Sequence, residues 1–554
     1  MQRLAVLATA LAVLGARGAV AQPSPEQVRR ADSLFTEFSG GDSPGLSVAV
    51  VRDGKVLFTN GYGLASLEHR VPITPSTVFD VASVSKQFAG LAVAMLVGQG
   101  KVSLRDDIRK YIPELQVMQR PITIDHLLHH TSGMRDWPGT LGVAGWRFDD
   151  VISFDQILTM AYNQKTLNFV PGAEYTYSNT GYNLLAELVK RVTGQPFRVW
   201  TEENFFRPLG MTSSIFRDDH TAVVPRRAFG YTRGADSSWR SVTNNLTALG
   251  SSSLMSSAED MARWLMNFDD ARVGGAAAMS LMRTRGVLND GSTIPYAFGV
   301  SHAEYRGAAT ITHSGSWAGF VSYLVHFPGQ KGGVVVLANT PRVNPSRAAF
   351  ALADIFLGDA LGAAPAAPPA ATGAADVPPT TLERYVGVYR LGPGWYVRIR
   401  REGGALVAQV PGEEPAPMSP RSQQEFWVER YGATMTFAAE GNGPATQLTY
   451  RGRRAPRVDE SGLRPPATLA AYAGTYESDE LGVAYPIQVR GDTLVLRSRQ
   501  HGDVRLTHRW RDDFSSSLYY FRSVDFQRDT SGRVVALLVN VDERSRDIRF
   551  VRRK

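Results

Sequence analysis

Apolar and β-branched residues crowd positions 46–51 (LSVAVV), give way to Arg52-Asp53-Gly54-Lys55, and resume over 56–59 (VLFT). Asp-Gly between two such runs favours a tight two-residue hairpin, so two antiparallel strands are predicted. From 83 to 285 the spacing turns mostly helical, with examples at 182–193 (YNLLAELVKRVT, followed by Gly194) and 258–268 (AEDMARWLMNF). The run 88–97 (FAGLAVAMLV) is apolar on every side, which requires a buried helix. Strand patterns return at 309–313, 321–327 and 333–339, and a helix follows at 346–357. Two early and three late strands, with helices between and after, predict an α+β domain in which one antiparallel sheet is covered on both faces.

Residues 363–379 (AAPAAPPAATGAADVPP) cannot build a core and read as a semi-rigid linker. Beyond it, LERYVGVY at 382–389 returns as LAAYAGTY at 469–476, with Leu, Tyr, Gly and Tyr repeating at a constant offset of 87 residues. Matches at one offset indicate an internal duplication. Each copy continues in short strand-like runs with Gly and Asp turns, so two small β-barrels, or two halves of one, are expected at 380–463 and 464–554.

The first 21 residues carry Arg3, an apolar stretch from Leu4 to Leu14 and a small-residue Ala19-Val20-Ala21 site. This is the pattern of a cleaved export signal, too short to span a membrane. It predicts a mature chain from Gln22, with a catalytic unit over 22–362, located in the periplasm or secreted. Loss of Arg3 and Arg17 lowers the formal charge from +8 to +6, a small excess for a chain of this size. Arginine clusters at 451–457 and 549–554 come without a recognition motif, so no nucleic-acid partner is expected. With no cysteine, thiolate chemistry, thiolate metal sites and disulfides are excluded. His126, His129 and His130 lack the Glu of a metal-binding His-Glu-x-x-His helix, and no metal or cofactor is implied.

Chemistry must then rest on Ser, Lys, Tyr, His and carboxylates. In FDVASVSKQF (79–88), residues three apart share a helix face, which places Ser83, rather than Ser85, beside Lys86 at the start of the apolar helix. Alone, this pattern also fits a polar helix start. Two further stretches carry reactive side chains: AEYTYSNTG (173–181), presenting Tyr177 and Asn179, and ITHSGSWAGF (311–320), with His313 at a strand end and Gly315 permitting close backbone approach.

The order Ser-x-x-Lys, Tyr-x-Asn, His-x-Gly resembles the serine β-lactamase and penicillin-binding-protein superfamily, over about residues 40–358. ITIDHLLHHTSGM (122–134), RPLGMTSS (207–214) and AFGYT (228–232) are similar to its branch of class C enzymes, esterases and D-aminopeptidases. The resemblance implies Ser83 as acyl-accepting nucleophile, Lys86 as its proton acceptor, and Tyr177 as the group that protonates the leaving group. It implies Asn179 as holder of the lysine and the substrate amide, and the Ser83 and Ser316 amides as an oxyanion hole. His313 and Gly315 would meet the substrate, with His313 standing where many relatives have lysine. An imidazole titrates near neutrality, so carboxylate binding there is expected to be weak and pH-dependent. The D-aminopeptidase branch also carries paired C-terminal barrels. The expectation is an exported hydrolase of small peptides, amides or esters, with D-amino-acid peptides first and peptidoglycan fragments among the substrates. Alternatives are a class C-like esterase or β-lactamase, or a ligand sensor that acylates without turnover.

Overall fold

The computed structural model describes residues 22–363, 375–410 and 414–553; residues 1–21, where an export signal is expected, and most of the expected linker lie outside them. Its central sheet has six strands: β1 (Leu46–Arg52), β2 (Lys55–Tyr62), β3 (Ser301–Tyr305), β4 (Ala308–Trp317), β5 (Phe320–Phe327) and β6 (Gly332–Ala338). They lie in the order β3-β4-β5-β6-β1-β2, and every pair is antiparallel. The hairpin expected at Asp53-Gly54 joins β1 to β2, with Arg52 opposite Lys55. β3 is the strand that the sequence pattern did not reveal. It lies at the sheet edge, and its sequence, SHAEY, is exposed or half-buried throughout, so it carries no apolar alternation.

Strand alternation sorts the two faces. Val48 and Val50 of β1, with Val334 and Val336 of β6, pack with Phe35 and with Leu352 and Phe356. Those partners come from helix α1 (Pro25–Ser33) with the turn after it, and from the last helix of the domain, Pro345–Phe356. Ala49, Val51, Val335 and Leu337 face the opposite side, toward a larger core. That core contains α2 (Lys86–Gly98), α3 (Asn179–Thr193) and α4 (Ala258–Asp270), all close to the predicted positions. Helix α2 is buried over most of its length, as its uniformly apolar sequence requires.

The repeated region forms two closed eight-stranded barrels, from Gly387–Gly392 to Arg453–Val458 and from Gly474–Ser478 to Ile548–Arg552. The end of the Pro/Ala-rich stretch belongs to the first of them. Val377 is buried in its core, and the Ala375 amide donates to Pro420 O.

The second barrel docks on the sheet domain through a short helix, Trp137–Val143, and the two residues before it. The fully buried Arg135 donates to Glu480 Oε1 at 2.6 Å and to the Arg546 carbonyl at 2.8 Å. Tyr485 donates to the Val143 carbonyl at 2.6 Å. Among the described residues, no helix is long and apolar enough to cross a membrane.

Candidate active site

Ser83 lies on a tight turn, Ala82–Ser85, between the short strand Val78–Asp80 and α2. The turn is held in an unusual shape: Ala82 has φ +47°, in the left-handed region that non-glycine residues avoid. Asp80 Oδ1 accepts the Ala82 amide at 2.8 Å, and Ser322 of β5 donates to the Val81 carbonyl at 2.8 Å. These bonds fix the backbone on either side of Ser83. Ser85 points elsewhere, donating to the Ala82 carbonyl and accepting the Leu254 amide.

Lys86 follows in the first turn of α2 and is fully buried. Its Nζ donates to Ser83 Oγ at 3.1 Å, Asn179 Oδ1 at 2.7 Å and the Ser251 carbonyl at 2.8 Å. Burial holds the amine well below the usual lysine range; Asp136 opposes that shift and Arg544 adds to it. A neutral amine within hydrogen-bond reach of a hydroxyl can accept its proton. Asn179 begins α3 and is clamped by Asp136, which accepts its amide at 2.7 Å and its Nδ2 at 3.1 Å.

Tyr177 sits on the preceding loop, its ring 4.8 Å from Lys86 Nζ. Burial raises its phenol well above the ordinary value, and a hydrogen bond with Ser83 only partly opposes this. The phenol therefore stays protonated at neutral pH, suited to donating a proton.

β4 closes the other side. β3 pairs with it only as far as Thr312, so among the described residues His313 to Trp317 have no partner strand on that edge. Gly315 faces the Ser83 turn: a Cβ there would overlap the Val81 carbonyl and Ser322 Oγ and stand 3.1 Å from the Ser83 nitrogen. Only glycine lets the strand approach this closely. The exposed Ser316 follows, at the lip of a cleft of about 650 Å³ walled by Phe148, Val242, Trp317, Phe320 and Pro341.

His313 corrects an expectation. Its Nδ1 lies 2.7 Å from the Ser314 carbonyl, which only accepts, so Nδ1 carries the proton and Nε2 accepts from Tyr296 Oη at 2.9 Å. Burial, reinforced by the nearby Lys86, pushes its pKa down to about 3. The ring is therefore uncharged at neutral pH, with both nitrogens engaged inside the protein. It offers no titrating cation to a substrate carboxylate near pH 7.

A family model described as Beta-lactamase matches residues 31–356, more than half of the chain. The chain belongs to the β-lactamase family. A second model, described as a domain of unknown function (DUF3471), matches residues 458–552. The D-aminopeptidase of Gluconobacter oxydans is 29% identical over 53% of this chain, and the match spans 56% of that relative's own length. Penicillin-binding protein 4* of Bacillus subtilis is 25% identical over 73% of this chain and 92% of its own. The fold is shared with the octameric penicillin-binding protein homologue from Pyrococcus abyssi, at TM-score 0.56 and 22% identity over 77% of this chain and 99% of that one. D-amino acid amidase from Ochrobactrum anthropi aligns at TM-score 0.51 and 21% identity over 60% of this chain and 98% of its own.

Within this β-lactamase family member the seven site residues expected from sequence converge at one end of the sheet. Four participants were not read from the sequence as site residues: Ser251, Asp136, Tyr296 and Arg544. The sequence pattern offers His130 only as a candidate metal ligand. It accepts the Ser178 amide at 3.1 Å and packs against the Tyr177 ring at 4.2 Å, a support beneath the phenol. His126 and His129 have separate partners, the Thr123 amide and the carbonyls of Asp125 and Thr284.

Proposed function

We propose that the protein is an exported serine hydrolase that cleaves small amides and esters through an acyl-enzyme on Ser83. The reading is carried by one observation, the buried Lys86 amine, whose pKa that burial holds down, 3.1 Å from Ser83 Oγ. Lys86 takes the hydroxyl proton as Ser83 Oγ attacks the substrate carbonyl. The Ser83 and Ser316 amides receive the developing oxyanion, a contribution of about 2.7–4 kcal/mol for a single such donor. Tyr177 passes a proton to the departing amine or alcohol. Water then attacks the ester by the reverse route and releases the acid.

The uncharged His313 disfavours substrates that need a cation beside Gly315 and Ser316, such as β-lactams bearing a carboxylate. The apolar cleft favours an apolar side chain. D-amino-acid amides and short peptides are the preferred class, supported by the D-aminopeptidase and D-amino acid amidase relatives. An esterase is the second reading, favoured by the same largely apolar cleft.

Intact mass spectrometry after fluorophosphonate treatment, with Ser83→Ala as control, tests the nucleophile; absence of an adduct on the parent protein ends the hydrolase reading. Turnover of D- and L-phenylalanine amide, p-nitrophenyl butyrate and a chromogenic cephalosporin tests the class. D-amide cleavage is expected to lead, and ester cleavage alone selects the esterase.

A further inference from the structure

We propose that Arg544, carried by the second barrel, is a positioning residue of the active site: it anchors Asp136, which fixes Asn179 and thereby the Lys86 amine beside Ser83. The inference rests on the proposed role of Ser83 and Lys86, and it follows a continuous chain of contacts. Arg544 Nη1 stands 3.5 Å from Asp136 Oδ2, the oxygen that also accepts Asn179 Nδ2. Asn179 in turn presents Oδ1 to Lys86 Nζ at 2.7 Å.

The loop bearing Arg544 is itself fastened to the sheet domain. The Asp136 amide donates to the Arg544 carbonyl at 2.8 Å, Asn168 Nδ2 donates to the same carbonyl at 2.8 Å, and Ser545 Oγ donates to the Asp136 carbonyl at 3.0 Å. Within the barrel, Asp542 Oδ2 accepts Arg544 Nη2 at 3.0 Å and the Tyr519 hydroxyl at 2.7 Å. The guanidinium is thus aimed at Asp136 from both ends.

The electrostatic consequence has a definite sign. Asp136 is buried, which pushes its carboxyl up, while Arg544 and, less strongly, Lys86 pull it back down. The other ionisable groups around the array are Asp542 on the barrel, the protonated phenols of Tyr177 and Tyr182 beside the amine, and the neutral His130 and His313. With Arg544 in place the charge of Asp136 is answered locally. Without it Asp136 acts on Lys86 unopposed and the direct push of Arg544 on the amine is gone; both changes favour the ammonium and leave less free amine at a given pH.

The test measures the fluorophosphonate labelling rate of Ser83 against pH in the full chain. Arg544→Gln keeps a polar side chain but removes the charge. It is expected to slow labelling and to move its half-maximal pH upward by about 1 unit. Arg544→Lys should restore most of the pH position. Arg544→Gln/Asp136→Asn should return it toward the parent value, because the unanswered carboxylate is gone. If Arg544→Gln keeps its thermal midpoint and its labelling pH is unchanged, the proposal fails. If Arg544→Gln does not fold, a folded Arg544→Lys with the parent pH position supports the proposal, and one shifted as far as a lost charge would demand overturns it. A parent protein whose Ser83 never labels refutes the hydrolase reading instead.

Discussion

In the first barrel the Tyr389 hydroxyl donates to the Tyr385 carbonyl at 2.8 Å, and in the second Tyr476 donates to Tyr472 at 2.7 Å. The duplicated motif therefore builds the same joint twice. The surroundings of the two copies diverge. Loops 478–480 and 541–547 of the second barrel meet Arg135 and Asp136, while the first barrel reaches the second through Asp513. That carboxylate accepts the Gly394 amide at 2.9 Å and the Tyr396 hydroxyl at 2.6 Å. The duplication supplied a stable scaffold, and loops outside the repeated motif decide which copy takes part in the site.

If that division holds, substitutions at the second barrel's junction should disturb both stability and acylation, whereas those at the first should disturb stability alone. Arg135→Ala is the harshest case. It strands Glu480 and frees the carbonyls of Arg546 and Asp547, and breaking such a buried pair costs about 3–5 kcal/mol. A large fall in thermal midpoint is expected together with loss of Ser83 labelling. Retained labelling would show that the site does not need the docked barrel. Gly142→Ala is next: its Cβ would overlap the Tyr520 ring of the second barrel. Overpacking of this kind costs about 1–3 kcal/mol, and labelling should slow as the barrel is pushed outward. Tyr396→Phe, the matching change at the first barrel, removes one hydrogen bond to a charged group, worth about 1.5–3 kcal/mol, and labelling should stay at the parent rate.

The sequence pattern reveals what has local character. Ser83 and Lys86 share a helix face, the Tyr177 loop opens a periodic helix, and His313 and Gly315 end an alternating strand. It does not reveal β3, whose edge position imposes no apolar period, or Ser251, which contributes a backbone carbonyl that any residue could supply. Asp136 and Arg544 are 408 positions apart in the sequence and meet only when a barrel docks. The repeat at 382 and 469 marks both barrels alike, so it cannot say which one docks. The neutrality of His313 was equally hidden, because it depends on burial and on Tyr296 and Ser314 rather than on residue type.

The joint between the barrels should also respond to pH with a definite sign. Asp525 lies across the ladder from Asp513, and burial together with that like charge pushes its carboxyl up to about 6. An unfolded aspartate titrates near about 3.9. Between these values the folded chain holds more protons, so stability is full below about pH 4 and declines as pH rises through 6. Asp525→Asn removes the burden and should raise the thermal midpoint at pH 8, by the equivalent of about 1–2 kcal/mol after allowance for partial exposure, with no gain at pH 4. A gain that is equal at both pH values would show that Asp525 is not the group responsible.

The smallest effects belong to two exposed ion pairs, and they separate the barrels most finely. Arg546 of the second barrel bonds Glu174 at 3.0 Å, three residues before Tyr177, whereas Arg453 of the first lies 3.4 Å from Glu543 of the second. Exposed pairs of this kind contribute about 0.2–1 kcal/mol and weaken in salt, so thermal midpoints should hardly distinguish Arg546→Ala from Arg453→Ala. Labelling should distinguish them: loss of the Glu174 tether loosens the loop that presents Tyr177, giving a few-fold slower reaction, while Arg453 holds only the exposed Glu543 side chain of a loop whose backbone stays fastened to the sheet domain at Arg544 and Ser545. Raising the salt concentration should reproduce the Arg546→Ala effect in the parent protein. Equal slowing by both variants would mean that the first barrel is coupled to the site as closely as the second.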